Sequence, residues 1–521
     1  MKIERAKNAT RNIITGFVLR LYQLLAPFVI RTVMIRVLGM DYLGLNSLFT
    51  SILQVLNLAE LGVGSAMVFS MYKPIAEDDE QTICDLMRLY QIYYRFIGLI
   101  ILVAGIIISP FIPKLISSTI PDGLNLYVLY FLNLSATVAS YWLYAYKNSL
   151  LLAHQRNDII SKITIFTSTF MYIGQIIVLA FLKNYYFYLV ITLISQLTLN
   201  LLTALVCDKM YPNYKPARTF NRTLSKNINQ KVKDLFTSKI GEIIVNSADS
   251  IVISAFLGLT ILASYNSYFY ILSAIFGFIM LLLQACTAGI GNSLIVESKG
   301  KNLNDLKVLT LIISWVAGFC SSCFMCMYQP FMEIWIGKDN LLSIGCVICF
   351  VVYFYIRCIN QILVVYKDAA GMWHEDRFRP LITALTNLVL NILMVKSIGI
   401  YGVLLSTVIS TLVVGMPWIL NNLFTFVFAG NLWPYVKKLG FYFSISSLSV
   451  VLSYIMCNLV GLKGIIGLAV DFVICCFISN ALYYISYKRT TDFRDAILLL
   501  DNIVGKKIGI IHVLIKKTIL S

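Results

Sequence analysis

The stretch TSILQVLNLAELGVGSAM, Thr50 to Met67, is apolar enough to cross a bilayer, yet it carries Gln54, Asn57 and Glu60. Spacings of three put all three on one face of a helix, and Asn46 and Thr50 extend the stripe backwards along it. Inserting a charged group near a helix centre costs at least about 2.5–3.5 kcal/mol, so such groups face a pocket or one another. The run therefore reads as a membrane helix with a polar face.

The rest of the chain fits that reading. Of 521 residues, 59% are apolar and 13% charged, with a mean hydropathy of +0.80, against about 45–50% and roughly 25% in soluble domains. The class is an all-α polytopic membrane protein, in contact with membrane lipids along its length. Apolar runs of spanning length recur from 11–36 and 44–70 through to 464–487, fourteen in all. They group as a six-helix half over 1–207, a basic loop over 208–234, a second six-helix half over 235–428, two further helices over 429–487 and a basic amphipathic tail over 488–521.

The formal net charge of +17 is a topology signal. With both termini cytoplasmic, the outer loops hold only Arg36, Lys114, Lys183, Lys338, Lys396 and Lys463 of the 42 Lys and Arg, while the loop Cys207 to Asp234 alone carries seven. That asymmetry is the positive-inside pattern, and nucleic acid is not expected as a partner. The basic N-terminus leads into a full span without a small-residue cleavage site, so it reads as a retained first helix. Ten of the twelve cysteines fall within spans. Cys320, Cys323 and Cys326 open a C-x2-C-x2-C pattern, but Pro330 stands where a fourth cysteine would complete an iron–sulfur motif; they read as small packing residues. His154, His374 and His512 have no metal-ligand spacing, and no G-x-x-x-x-G-K-[ST] loop occurs.

The two halves share a weak repeat. VLGMDYLGLNSLF (Val37 to Phe49) returns as FLGLTILASYNSYF (Phe256 to Phe269), so that Leu38-Gly39 matches Leu257-Gly258 at an offset of 219. The same offset sets Arg20 on Lys239 and Pro27 on Asn246. Six-helix repeats of like orientation are a transporter plan with the cargo site between them, in a pseudo-two-fold arrangement.

Charges inside the spans are the candidate functional groups. On the first helix Arg20, Gln23, Pro27 and Arg31 share a face, the two arginines about 16 Å apart along it; Pro27 lacks an amide hydrogen and would loosen the helix there. The seventh helix aligns Lys239, Glu242, Asn246 and Asp249. The tenth aligns Arg357, Gln361 and Asp368. Glu60, Asp249 and Arg357 lie near mid-span. Glu60, with Asp249 as its counterpart in the other half, is expected to exchange between an arginine and a coupling cation as the halves rock; the alternative is a fixed ion pair joining the first two helices.

The segment RVLGMDYLGLNSLFTSILQVLNLAELGVGSAMVFSMYKPIAEDD (Arg36 to Asp79) resembles the N-terminal signature of the Wzx-type polysaccharide flippases of the multidrug/oligosaccharidyl-lipid/polysaccharide exporter superfamily. The resemblance extends to helix number, split halves and two extra C-terminal helices. It implies a bacterial plasma-membrane transporter that moves undecaprenyl-pyrophosphate-linked oligosaccharides outward by alternating access, for O-antigen or capsule synthesis. A cationic cavity would then hold the pyrophosphate with Arg20, Arg31, Lys239 and Arg357, gating or coupling would involve Pro27, Glu60, Glu242 and Asp249, and Asn46, Gln54, Asn57, Asn246 and Gln361 would line it. On this reading the chain is not an enzyme, acts as a monomer beside a polysaccharide polymerase and needs no cofactor beyond a coupling H+ or Na+. Two alternatives stand: a cation-coupled drug exporter of the same superfamily, which would line its cavity with acids, and a membrane polymerase or glycosyltransferase, which would need larger outer loops than the dozen or so residues available here.

Overall fold

The computed structural model describes residues 5–60, 62–217, 228, 241, 244–245 and 247–503, with the side chains of 5–10, 13, 500 and 502–503 excepted. Every regular element among them is helical. Among the described residues twelve helices are long and apolar enough to cross a membrane, and a bent pair makes thirteen, against the fourteen expected; most of the expected 232–258 span lies outside the described residues. The protein is a multi-pass membrane protein. By spatial clustering it forms two compact units, Met1–Asn266 and Ser267–Ser521.

In the first unit, α1 (Arg5–Val37) runs as one helix through Pro27. It is followed by α2 (Met40–Leu56), α3 (Val63–Ala76), α4 (Glu80–Ile108), α5 (Leu126–Trp142), α6 (Lys147–Ala153), α7 (Asn157–Ile177) and α8 (Tyr185–Met210), and then by the short apolar α9 (Ser247–Leu257). Polar side chains start the long helices. Asp79 accepts from the Thr82 amide at 3.0 Å, Asn125 from Tyr127 and Val128, and Asn184 from Tyr186 and Phe187, each satisfying amides that a helix N-terminus leaves bare. Small residues let helices touch: a Cβ on Gly98 of α4 would lie 2.3 Å from the Trp142 indole nitrogen.

Two expected spans are not straight. The 125–152 run bends by 57° between α5 and α6, where Tyr144 takes a positive φ of 55°. The polar stripe on 44–70 is also broken: α2 stops at Leu56, and Asn57–Glu60 form a 3-10 turn before Gly62, at φ 84°, restarts the chain as α3. Asn57 and Glu60 therefore do not continue the helical face of Asn46, Thr50 and Gln54. The tighter 3-10 winding and the left-handed glycine, a backbone that a side chain would strain, turn them elsewhere.

The repeat has a structural counterpart. Gly39 and Gly258, matched in sequence, take φ of 101° and 94°, and each opens a helix, α2 and α10 (Leu259–Val296). The starts of these helices meet. A Cβ on Gly44 would lie 2.1 Å from the Leu259 carbonyl oxygen, and Thr260 donates to Asp41, a partner separated by the repeat offset of 219.

The second unit continues along α10 and holds α11 (Lys299–Ile336), α12 (Ile344–Ala369), α13 (Trp373–Asp376), α14 (Arg379–Ile398), α15 (Ile400–Ser410), α16 (Met416–Asn422), α17 (Trp433–Val460), α18 (Gly464–Tyr487) and α19 (Thr491–Ile503). α11 is its spine, packed by α12, α17 and α18. Serines and one glycine permit this closeness, as small residues do in membrane bundles. Ser322 meets Ser449 at 3.2 Å and Ser449 donates to Ser479 at 2.9 Å, so one hydroxyl chain crosses three helices. At Gly318 a Cβ would fall 2.0 Å from the Tyr483 hydroxyl.

Candidate functional site

The 3-10 turn after α2 carries Glu60 to α4. Tyr94 donates to its Oε1 at 3.1 Å, Tyr90 donates to Tyr94 at 2.5 Å, and a Cβ on Gly64 would lie 3.0 Å from the same carboxylate oxygen. On α5, Tyr141 sets its ring edge-on to Tyr94 at 5.4 Å and donates to Asn57 at 3.3 Å. The acid thus ends in a cage of phenols and one amide. Hydrogen bonds to a charged group contribute about 1.5–3 kcal/mol each, enough to offset much of its desolvation. The sequence reading missed this cage; the pair Tyr90 and Tyr94, one turn apart on α4, shows two phenols on one helix face but not that they meet Glu60.

The other acid of mid-span depth, Asp249 on α9, is buried and accepts from Tyr265 at 3.2 Å. Both carboxylates are therefore held by tyrosine hydroxyls. Nearby on the stripe, Gln54 is exposed and accepts from Ser247 at 3.4 Å. Asn46 accepts from Tyr185 at 3.3 Å; Tyr185 stacks on Tyr188, which lies in the field of Arg31 from α1. Arg20 is exposed on α1 and makes no ion pair with a described residue. Pro27 is half-buried within the unbroken helix. Lys239, Glu242 and Asn246 lie outside the described residues.

In the second unit Arg357, half-buried at the middle of α12, has no acidic partner among the described residues. Its guanidinium sits 4.1 Å from the ring centre of Phe276, 5.7 Å from Tyr353 and 5.9 Å from Phe269. Cation–π attraction of about 0.5–2 kcal/mol per favourable ring holds its charge, but not its hydrogen bonds: Nη1 is buried without an acceptor among the described residues. A charged donor left unpaired at this depth is a place for an anion. Gln361, one turn further on α12, is half-buried and adds an amide. Tyr353 precedes Arg357 by four, and Phe269 and Phe276 are seven apart on α10, so both spacings were visible without the structure.

An apolar cavity of about 360 Å³ opens between α11, α12 and α17, walled by Met325, Ile348, Val352, Phe443, Val450 and Val451. Ser321, Tyr355 and Ser446 supply its few polar atoms.

The class of protein follows from comparison with solved structures. The lipid II flippase MurJ in an inward closed conformation superposes with a TM-score of 0.67 at 16% identity, covering 92% of this chain and 98% of that one. An inward-facing multidrug resistance MATE transporter gives 0.58 at 14% identity over 78% and 96%, and a MOP-superfamily transporter from Pyrococcus furiosus gives 0.54 at 14% identity over 80% and 94%. The chain has the fold of the multidrug/oligosaccharidyl-lipid/polysaccharide (MOP) superfamily. No family model matches the sequence, and no curated protein matches it.

Proposed function

We propose that the protein is a flippase that carries undecaprenyl-pyrophosphate-linked oligosaccharides from the inner to the outer leaflet of a bacterial plasma membrane by alternating access, in surface polysaccharide synthesis. The observation that carries this reading is Arg357: a mid-helix guanidinium braced by rings that, among the described residues, has no carboxylate and leaves a buried donor unanswered. A pyrophosphate brings about two negative charges and several acceptor oxygens, the complement of such a group. Arg20, Arg31 and Lys239 are the further cations of the path. Sugar hydroxyls need amides and phenols, which Asn46, Gln54, Asn57 and the tyrosines about Glu60 offer. The prenyl chain needs an apolar seat in the bilayer, and the cavity between α11, α12 and α17 is of that character. The fold agrees: the flippase match spans more of this chain than the drug-exporter match. Both termini and the basic 208–234 loop are then cytoplasmic, as the Lys/Arg distribution requires.

One observation favours a second reading, a cation-coupled drug exporter: Glu60 and Asp249 are tyrosine-held acids at mid-span depth. Purified protein reconstituted in vesicles and offered fluorescent lipid-linked oligosaccharides and small cationic drugs separates the two. Translocation of the lipid-linked sugars supports the flippase; translocation of the drugs alone establishes the exporter.

A further inference from the structure

Cysteines that look unrelated in sequence converge where α17 and α18 pack on α11. Cys326 of α11, Cys457 of α17 and Cys475 of α18 are all buried, and their Sγ atoms lie within 4.8 Å of one another. Cys323, one turn before Cys326, packs against the same group. Two oxygen-bearing side chains complete the surroundings. The Asp471 carboxyl is buried beside the Cys457 thiol. The Ser453 hydroxyl, fully buried near Cys475, has no hydrogen-bond partner of ordinary geometry among the described residues. Phe319, Met327, Tyr454 and Ile474 wall the rest with apolar surface.

We infer that Cys326, Cys457 and Cys475 form a binding site for one thiophilic d10 cation, Zn2+ or Cu+. Sulfur ligands select these ions, whereas Mg2+ and Ca2+ require a shell of oxygens that a single carboxyl does not provide. The spacing suits them. A metal–sulfur bond of about 2.3 Å in a tetrahedral site sets sulfurs about 3.8 Å apart, so the cluster needs to contract by no more than about 1 Å. Charge sets the stoichiometry of protons, because a net charge is expensive at this depth. The thiolate is the metal-binding form: Zn2+ held by two thiolates is neutral and releases two protons, Cu+ held by one thiolate is neutral and releases one, and the remaining cysteines stay protonated beside the ion. The site joins three helices and so fastens α17 and α18 to the spine of their unit, whatever cargo the protein carries.

The test uses the full chain in detergent with a phosphine reductant, equilibrated separately with Zn2+ and with Cu+ buffered by bicinchoninate. The expected result is one equivalent of metal per chain by elemental mass spectrometry with at least one of the two ions, two protons released for zinc or one for copper, and a raised Tm. Replacement of bound Zn2+ by Co2+ should give sulfur-to-cobalt absorption in the near ultraviolet. Cys457→Ser/Cys475→Ser and, separately, Cys326→Ser should lose the equivalent, while Cys207→Ser and Cys358→Ser, buried thiols outside the cluster, should keep it. Wild-type protein that binds no more of either metal than the double variant overturns the proposal. So does a double variant that retains the metal, or an intact mass showing two of the three cysteines joined as a disulfide.

Discussion

Two cations on one helix are treated in opposite ways. Lys367, at the end of α12, is buried among acids: Asp368 at 2.6 Å and Asp376 at 3.8 Å, with Arg379 closing on Asp376 through two bonds of 2.6 and 2.8 Å. Ten residues earlier Arg357 meets, among the described residues, aromatic faces and no acid, and keeps a donor unanswered. The first arrangement is electrostatically complete and has nothing to offer a ligand. The second is incomplete in the one respect a pyrophosphate would satisfy. On the proposed function, it is the unfinished charge and not charge by itself that would mark the transport site.

The sharpest way to break the contrast is to truncate both ends of it. Arg357→Ala should lower flipping of lipid-linked oligosaccharide at least a hundredfold in vesicles while Tm changes little, since no internal partner is stranded; wild-type rates in this variant would remove Arg357 from the path. Arg379→Ala should do the reverse. It leaves buried Asp376 with Lys367 at 3.8 Å as its remaining cation, for which a loss of up to about 3–5 kcal/mol is expected, read as a fall in folded yield and Tm; an Arg379→Ala protein as stable as wild type would show that Lys367 alone satisfies the acid.

A smaller effect is expected at Glu60. Glu60→Gln keeps the shape of the tyrosine cage and removes the charge, so the exchange role predicts about tenfold slower transport at unchanged Tm. Transport that survives with a large drop in stability would instead make Glu60 a structural brace. The smallest effect concerns His154, between α6 and α7, whose ring lies 4.3 Å from that of Tyr211 and contacts the Leu150 carbonyl oxygen at 2.8 Å. Burial holds its pKa below the ordinary 6.5. The folded state therefore binds fewer protons than the unfolded one near that pH, and the stability that results is present above 6.5 and is lost as pH falls through the depressed value. Thermal melts should show Tm declining below pH 6.5, and His154→Gln should reduce that decline; an unchanged profile in the variant assigns the titration elsewhere.

How much of this was legible in the sequence depends on the kind of signal. Span positions were, because hydropathy averages over about twenty residues and tolerates local error. The repeat was too, since Gly39 and Gly258 are glycines for a backbone reason that recurs in both places. The breaks were not. Nothing in the composition around Asn57 or Leu143 distinguishes a continuing helix from one that turns, and a stripe drawn at helical spacing ran straight across the first break. Partners were legible only when they shared a helix, as Tyr353 and Arg357 do; Tyr94 with Glu60, or Cys326 with Cys475, required tertiary packing to bring them together.

The claim that a mid-span guanidinium grips the diphosphate is tested most directly by binding rather than transport. Affinity for undecaprenyl pyrophosphate, measured by native mass spectrometry or microscale thermophoresis on wild-type, Arg357→Lys and Arg357→Ala proteins, should fall modestly for the lysine and at least tenfold for the alanine, with uncharged undecaprenol insensitive to either change. Equal affinity of wild-type and Arg357→Ala for the pyrophosphate would contradict the account.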